Sequence, residues 1–150
     1  YGLSPGAPMG TSADLGLRPA MTVTAEVANV KRVPAGQGVS YGLRYRTAGP
    51  STLALIPAGY ADGVPRSGSG ALPVLLRSGR YTAAGTIAMD QFVLDVGDAD
   101  VAPGDRVVLF GDGCDGGPTA DDWADACGTI NYEIVTCISQ RVPREVAGTD

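Results

Sequence analysis

Residues 21–33 read MTVTAEVANVKRV, and this stretch decides the fold. Met21, Val23, Ala25, Val27 and Asn29 fall on one side of an extended chain, and Thr22, Thr24, Glu26 and Ala28 on the other. Successive side chains of a strand point to opposite faces, so an alternation of period two marks a half-buried β-strand. The pattern is interrupted near Asn29.

Further along, residues 34–38 (PAGQG) supply a turn, and residues 51–58 (STLALIPA) read as another strand. Residues 72–77 and 80–86 read as a hairpin across Ser78-Gly79, a glycine-containing two-residue turn. Residues 91–96 (QFVLDV) alternate again, and 105–110 (DRVVLF) follow the turn Pro103-Gly104. Short strands at this spacing predict an all-β barrel or sandwich.

The pattern changes after residue 118. Thr119 with Asp122 forms a capping box, aspartate standing for the usual Glu or Gln, and opens a short helix around Trp123 that Gly128 ends. Ile130, Ile134 and Ile138 stand at i, i+4 and i+8, which predicts a second helix over 129–138 with Thr129 as N-cap and Tyr132 in its first turn. The expected fold is mainly β: a small barrel- or sandwich-like domain with two short helices near the C-terminus. Residues 1–20, with three prolines and four glycines, read as an incoming linker. Residues 21–146 read as the domain, and 147–150 (AGTD) as a frayed tail.

Composition narrows the chemistry. The 150 residues are 44 % hydrophobic and 18 % charged, enough for one core. A net charge of −5 with scattered basic residues argues against nucleic acid or an anionic membrane as partner. No apolar run nears the roughly 20 residues that span a bilayer, and the opening YGLSPGAPMG lacks the layout of a secretory signal. Cys114, Cys127 and Cys137 have no C-x-x-C spacing, so free thiols in the cytoplasm are expected, not a zinc site. Residues 111–122 (GDGCDGGPTADD) are rich in aspartate but fail the EF-hand template, and read as a solvated loop.

Histidine is absent, which removes Ser-His-Asp and Cys-His catalysis and histidine metal ligands. Lys31 is the only lysine. Proton transfer would fall to tyrosine, to a carboxylate, or to groups from another chain or segment.

Four stretches carry side chains that packing alone does not explain. VSYG (39–42) presents Tyr41, and GYADGVPR (59–66) presents Tyr60, Asp62 and Arg66. GTIAMDQF (85–92) presents Met89 and Asp90, and TINYE (129–133) presents Tyr132. Ordinary structural roles compete in each case. A tyrosine in a β-domain commonly buries its ring, Asp-Gly is ordinary turn chemistry, and methionine fills gaps. The chemical reading also has content. A phenol with a reference pKa of about 10 becomes a base near neutral pH only beside positive charge, which Arg44 or an external arginine would supply. Amides after a glycine turn, as around Met89, can hold a carboxylate, and a tyrosine near a helix N-terminus suits a phosphate.

In order and spacing these stretches resemble the C-terminal domain of alanine racemases. The matching motifs are VPAGQGVSYG, GYADGVPR, MDQF, and NYE followed by RVPR, with YGLSP resembling the segment that leaves the N-terminal domain. The resemblance implies a (β/α)8 barrel ahead of this β-domain, pyridoxal phosphate as cofactor, a homodimer, and interconversion of L- and D-alanine by two-base proton transfer for peptidoglycan. It also implies the residue roles. Tyr41 is the base for L-alanine, and the main chain of Met89 contacts the substrate carboxylate. Tyr132 reaches the cofactor phosphate. Tyr60, which also contacts the substrate, and Arg66 belong to the substrate's entry path, and Asp90 is a gate residue beside it. Tyr41 and Met89 would serve the partner subunit's barrel, and Tyr132 its own. The Schiff-base lysine belongs to the barrel, so the isolated chain is expected to be inactive. Two positions depart from the family pattern, where Arg and Cys are frequent: they are Thr86 and Ala88 here. A related serine racemase and a non-catalytic β-module are the alternative readings.

Overall fold

The alternating stretch at 21–33 is shared between two sheets. The computed structural model describes residues 1–6 and 8–146, so the tail at 147–150 lies outside the described residues. Strand β1 (Val23–Glu26) pairs antiparallel with β9 (Arg106–Phe110), while β2 (Asn29–Val33) pairs antiparallel with β5 (Ser51–Ile56). The exchange occurs at Val27–Ala28. The Val27 N–H still donates to Asp105 O at 2.9 Å, whereas the Ala28 N–H donates to Leu55 O at 2.9 Å. The interruption expected near Asn29 is therefore a corner where the chain leaves one sheet for the other.

The remaining strands complete both sheets. Strands β3 (Gly38–Val39) and β4 (Tyr45–Arg46) form a separate two-stranded ladder. Strand β6 (Pro73–Leu76) pairs with β7 (Gly79–Thr82) and β9, and β8 (Phe92–Gly97) pairs with β5. The orders are β1-β9-β6-β7 and β2-β5-β8. A second corner joins the sheets, where Ala83, just past β7, bridges to Leu94 of β8. Between them lies one core that includes Ile56, Leu72, Leu76, Ile87, Phe92, Leu94 and Leu109. The mainly β, barrel- or sandwich-like expectation agrees with this architecture.

The hairpin at 73–82 differs from expectation in register. Leu76 pairs with Gly79, so the two turn residues are Arg77 and Ser78, with Arg77 at φ 55°. Gly79 is instead the first residue of β7. A Cβ there would lie 2.6 Å from the Tyr81 ring, so packing, not turn conformation, requires its small size.

Helix α1 (Ala120–Cys127) begins with the expected capping box: Asp122 N–H to the Thr119 hydroxyl at 3.2 Å, and Thr119 N–H to Asp122 Oδ2 at 2.8 Å. It buries Trp123 completely. The indole N–H donates to Pro73 O at 2.8 Å, and the ring meets Phe110 edge-on at 5.1 Å. Helix α2 (Asn131–Cys137) starts later than expected, with Ile130 as N-cap and no side-chain cap. Thr129 is engaged in ending α1. Its N–H donates to Ala124 O at 3.0 Å while the Gly128 N–H donates to Asp125 O at 3.3 Å, a Schellman ending around left-handed Gly128. Among the described residues of 1–20 there are turns and no strand or helix, but Leu3 and Ser4 are buried. Among the described residues no helix is long and apolar enough to cross a membrane.

Candidate active site

Tyr41 stands at the tip of the β3–β4 hairpin, 72 % exposed. The tip is sharp because three residues take positive φ: Ser40 (φ 57°, ψ −171°), Gly42 (74°) and Leu43 (48°). The Ser40 conformation is almost reserved for glycine, and a side chain there costs about 1–3 kcal/mol. Hydrogen bonds offset that strain. The Ser40 hydroxyl donates to Thr86 O, and the Thr86 hydroxyl donates back to Tyr41 O at 3.1 Å. Gly85, at φ 79°, makes the approach possible, since a Cβ there would come within 2.9 Å of Val39 O.

The segment that holds Tyr41 also holds the other candidates. The Ile87 N–H donates to Ser69 Oγ at 3.0 Å, and that hydroxyl donates to Arg66 O at 2.6 Å, fixing the 3-10 turn Arg66–Gly68, in which Arg66 is exposed and Gly68 buried. Ala88 O accepts from Tyr60 N–H at 3.1 Å, and Met89 O accepts from Ala61 N–H at 2.9 Å. Gly59 is required there, because a Cβ would sit 2.3 Å from Met89 O. Asp90 Oδ1 pairs with Arg141 at 3.0 Å, and Arg141 also reaches Asp62 Oδ1 at 3.4 Å. Residues 85–91 are thus a hub that fixes Tyr41, Arg66, Tyr60, Met89 and Asp90 in succession. The Met89 N–H donates to no acceptor among the described residues.

Tyr132 is held elsewhere. It is half-buried on α2, and its hydroxyl donates to Leu3 O at 3.2 Å. The neighbouring Asn131 amide donates to Ser4 O at 2.8 Å and to Asp121 Oδ1 at 2.7 Å. The two residues pin the N-terminal segment to α2. A surface groove of about 430 Å³ runs between the two helices and the 60–67 loop, lined among others by Tyr60, Ser67, Glu133 and Cys137.

The base of the Tyr41 hairpin carries the main electrostatic feature. Tyr45 OH donates to Asp95 Oδ2 at 2.8 Å, Ser51 Oγ donates to Asp95 Oδ1, and the Gly97 N–H donates to Oδ1 at 3.1 Å. Burial raises the Asp95 carboxyl most strongly of any single influence, but the bonds from Ser51, Tyr45 and Gly97 together outweigh it and hold the group below the ordinary carboxylate range. Burial first, and then the Asp95 bond and charge, push the Tyr45 phenol up to about 12.

In the aspartate-rich loop, Asp112 Oδ1 accepts from Cys114 N–H at 3.0 Å and Asp115 Oδ1 from Gly117 N–H at 2.9 Å. These carboxylates hold turns. Lys31 stands exposed on β2, opposite Leu53 of β5. The face thus suits part of a pyridoxal phosphate site, with phenols and a free amide, and this chain's own lysine is not among them.

Two packed antiparallel sheets, with Tyr41, Tyr60 and Met89 exposed on loops that meet at residues 85–91, define a mainly β domain. Residues 20–146 match the family model described as alanine racemase, C-terminal domain. An alanine racemase of Frankia casuarinae is 61 % identical over 144 residues, covering 96 % of this chain and 38 % of the relative. One from Streptomyces coelicolor is 58 % identical, covering 96 % and 37 %. The crystal structure of alanine racemase from D-cycloserine producing Streptomyces lavendulae superposes with a TM-score of 0.96 at 57 % identity, covering 99 % of this chain and 39 % of that one. The chain belongs to the alanine racemase C-terminal domain family, and spans somewhat over a third of the length of these relatives.

Thr86, Tyr45, Asp95 and Asn131 were not singled out as site-building residues by their sequence context. Thr86 stood out only as a departure from the family motif. Its partner is a backbone carbonyl 45 positions away, which no local pattern announces.

Proposed function

We propose that this chain is the C-terminal domain of a pyridoxal-phosphate-dependent alanine racemase that interconverts L- and D-alanine and provides D-alanine for peptidoglycan. The observation that carries this reading is the hub at 85–91, which gathers Tyr41, Tyr60, Arg66, Met89 and Asp90 on one face. Family membership supports it. In this reading residues 1–20 lead in from a (β/α)8 barrel of the same polypeptide, and that barrel provides the Schiff-base lysine.

Pyridoxal phosphate, when bound, supplies the electron sink that lets an amino acid's α-carbon release its proton. Tyr41 acts as general base toward L-alanine: the Cα–H bond breaks, the proton passes to the phenolate oxygen, and the electron pair stays on the substrate. In the reverse direction Tyr41 returns that proton, while the barrel's lysine works on the opposite face. The free Met89 N–H donates to the substrate carboxylate. Tyr60, Arg66 and the Asp90–Arg141 pair border the access path. Tyr132 has one hydroxyl proton, so donating it to the cofactor phosphate requires releasing Leu3 O.

The exposure of Tyr41, Leu43 and Met89, 72 %, 51 % and 53 %, supports a homodimer in which Tyr41 and Met89 reach the second subunit's barrel and Tyr132 serves its own. Three free cysteines suit a cytoplasmic setting. The test is racemisation of D-alanine followed by circular dichroism. The chain alone should show no turnover, and the same chain joined to a family barrel should restore it. Turnover by the chain alone, or none from the joined protein once folded and loaded with cofactor, would overturn the proposal.

A further inference from the structure

We infer that Thr86, with Ser40, is a positioning pair for the Tyr41 phenol, an inference that rests on reading Tyr41 as the base for L-alanine. Two hydrogen bonds cross between the loops: Ser40 Oγ donates to Thr86 O, and Thr86 Oγ1 donates to Tyr41 O at 3.1 Å. Tyr41 itself is exposed, and its hairpin is tied to the sheet below by Tyr45. Its tip takes direction from the main chain at 40–43, where two non-glycine residues hold positive φ. Such a backbone persists only where its surroundings over-determine it. Thr86 is 9 % exposed and provides that constraint from the same segment that carries Met89. One short strip of chain therefore sets the distance between the base and the amide that would hold the carboxylate.

A misplaced reacting group costs rate steeply, about a hundredfold for 1 Å. Thr86→Val keeps the shape and removes the donor. Thr86→Ser keeps the donor. Ser40→Gly removes the other tether while relieving the backbone, so it should fold at least as well as the parent.

The experiment uses the full-length racemase and α-deuterated L- and D-alanine. Slowing the Tyr41 step makes it more rate-limiting, so the deuterium effect on kcat/KM should rise for L-alanine and fall for D-alanine. Thr86→Val should lower kcat/KM about tenfold or more with that opposed shift. Thr86→Ser should restore both quantities to within about twofold, and Ser40→Gly should show the same opposed shift as Thr86→Val. Isotope effects unchanged in both Thr86→Val and Ser40→Gly would overturn the inference, as would a Thr86→Ser variant as impaired as Thr86→Val. If Thr86→Val does not fold, Ser40→Gly alone decides. Tyr41→Phe separates the two layers: if it leaves L-alanine turnover intact, the reading of Tyr41 fails; if it abolishes turnover while the tether variants show no shift, only the positioning role fails.

Discussion

Tyr45 and Asp95 meet through a 2.8 Å hydrogen bond that ties the Tyr41 hairpin to the outward face of β8. Ser51 and the Gly97 amide complete the shell around the same carboxylate. The hairpin has two ladder pairs of its own, and this side-chain anchor, with the Ser40 and Thr86 bonds at the tip, ties it to the domain.

The anchor makes stability depend on pH at both ends. Asp95 has a lowered pKa in the fold, so its contribution is present above the unfolded value of about 4 and is lost as pH falls through the folded value. Tyr45 keeps its proton up to about 12 in the fold, against about 10 when unfolded, so stability declines as pH rises between those values. Asp95→Asn should cost about 1.5–3 kcal/mol at pH 7 and flatten the acid limb. Urea unfolding at pH 7 and pH 3 checks this. An unchanged acid limb would remove Asp95 from the account.

Trp123 closes the core between α1 and strands β6 and β9 of the larger sheet. Trp123→Ala should destabilise by about 3–5 kcal/mol, and Trp123→Phe by less, losing the bond to Pro73 O and part of the packing on Phe110. Denaturation followed by circular dichroism measures both.

Gly59→Ala tests the contact between two loops of the face. The added Cβ would press on Met89 O, a backbone atom that cannot swing away. A loss of about 1–3 kcal/mol is expected, with a raised KM for L-alanine in the full-length enzyme. A variant with wild-type stability and KM would show that the loops are not coupled as described.

Asn131→Ala should loosen the N-terminal segment by removing the donor to Ser4 O. Amide hydrogen exchange should accelerate within residues 1–20 while the β5 and β8 amides keep their protection. Equal acceleration throughout would mean that Asn131 supports the whole fold.

Period-two alternation made β1 and β8 legible in the sequence, β5 and β9 were read as short strands, and the Thr119–Asp122 cap and Gly128 marked α1. The division of residues 21–33 between two sheets was not legible, because alternation reports which side is buried and not which strand lies alongside. The hairpin register was missed because Gly79 resembles a turn residue, whereas a packing constraint from Tyr81 sets its place. Thr129 was read as a cap for α2 because one threonine between two helices can serve either, and the Schellman ending of α1 claims it. Motif order pointed to Tyr41, Tyr60, Arg66, Met89 and Asp90. Most of the bonds that gather them have a backbone N–H or carbonyl as one partner, and backbone partners leave no mark on sequence.

The proposed function rests on Tyr41 as the base for the L-enantiomer. Exchange of the α-hydrogen in D2O, followed by proton NMR on the full-length enzyme with Tyr41→Phe, tests it most directly. The account predicts that exchange from L-alanine falls by about a hundredfold or more while D-alanine continues to exchange through the opposite base. Exchange from L-alanine at the wild-type rate would contradict it.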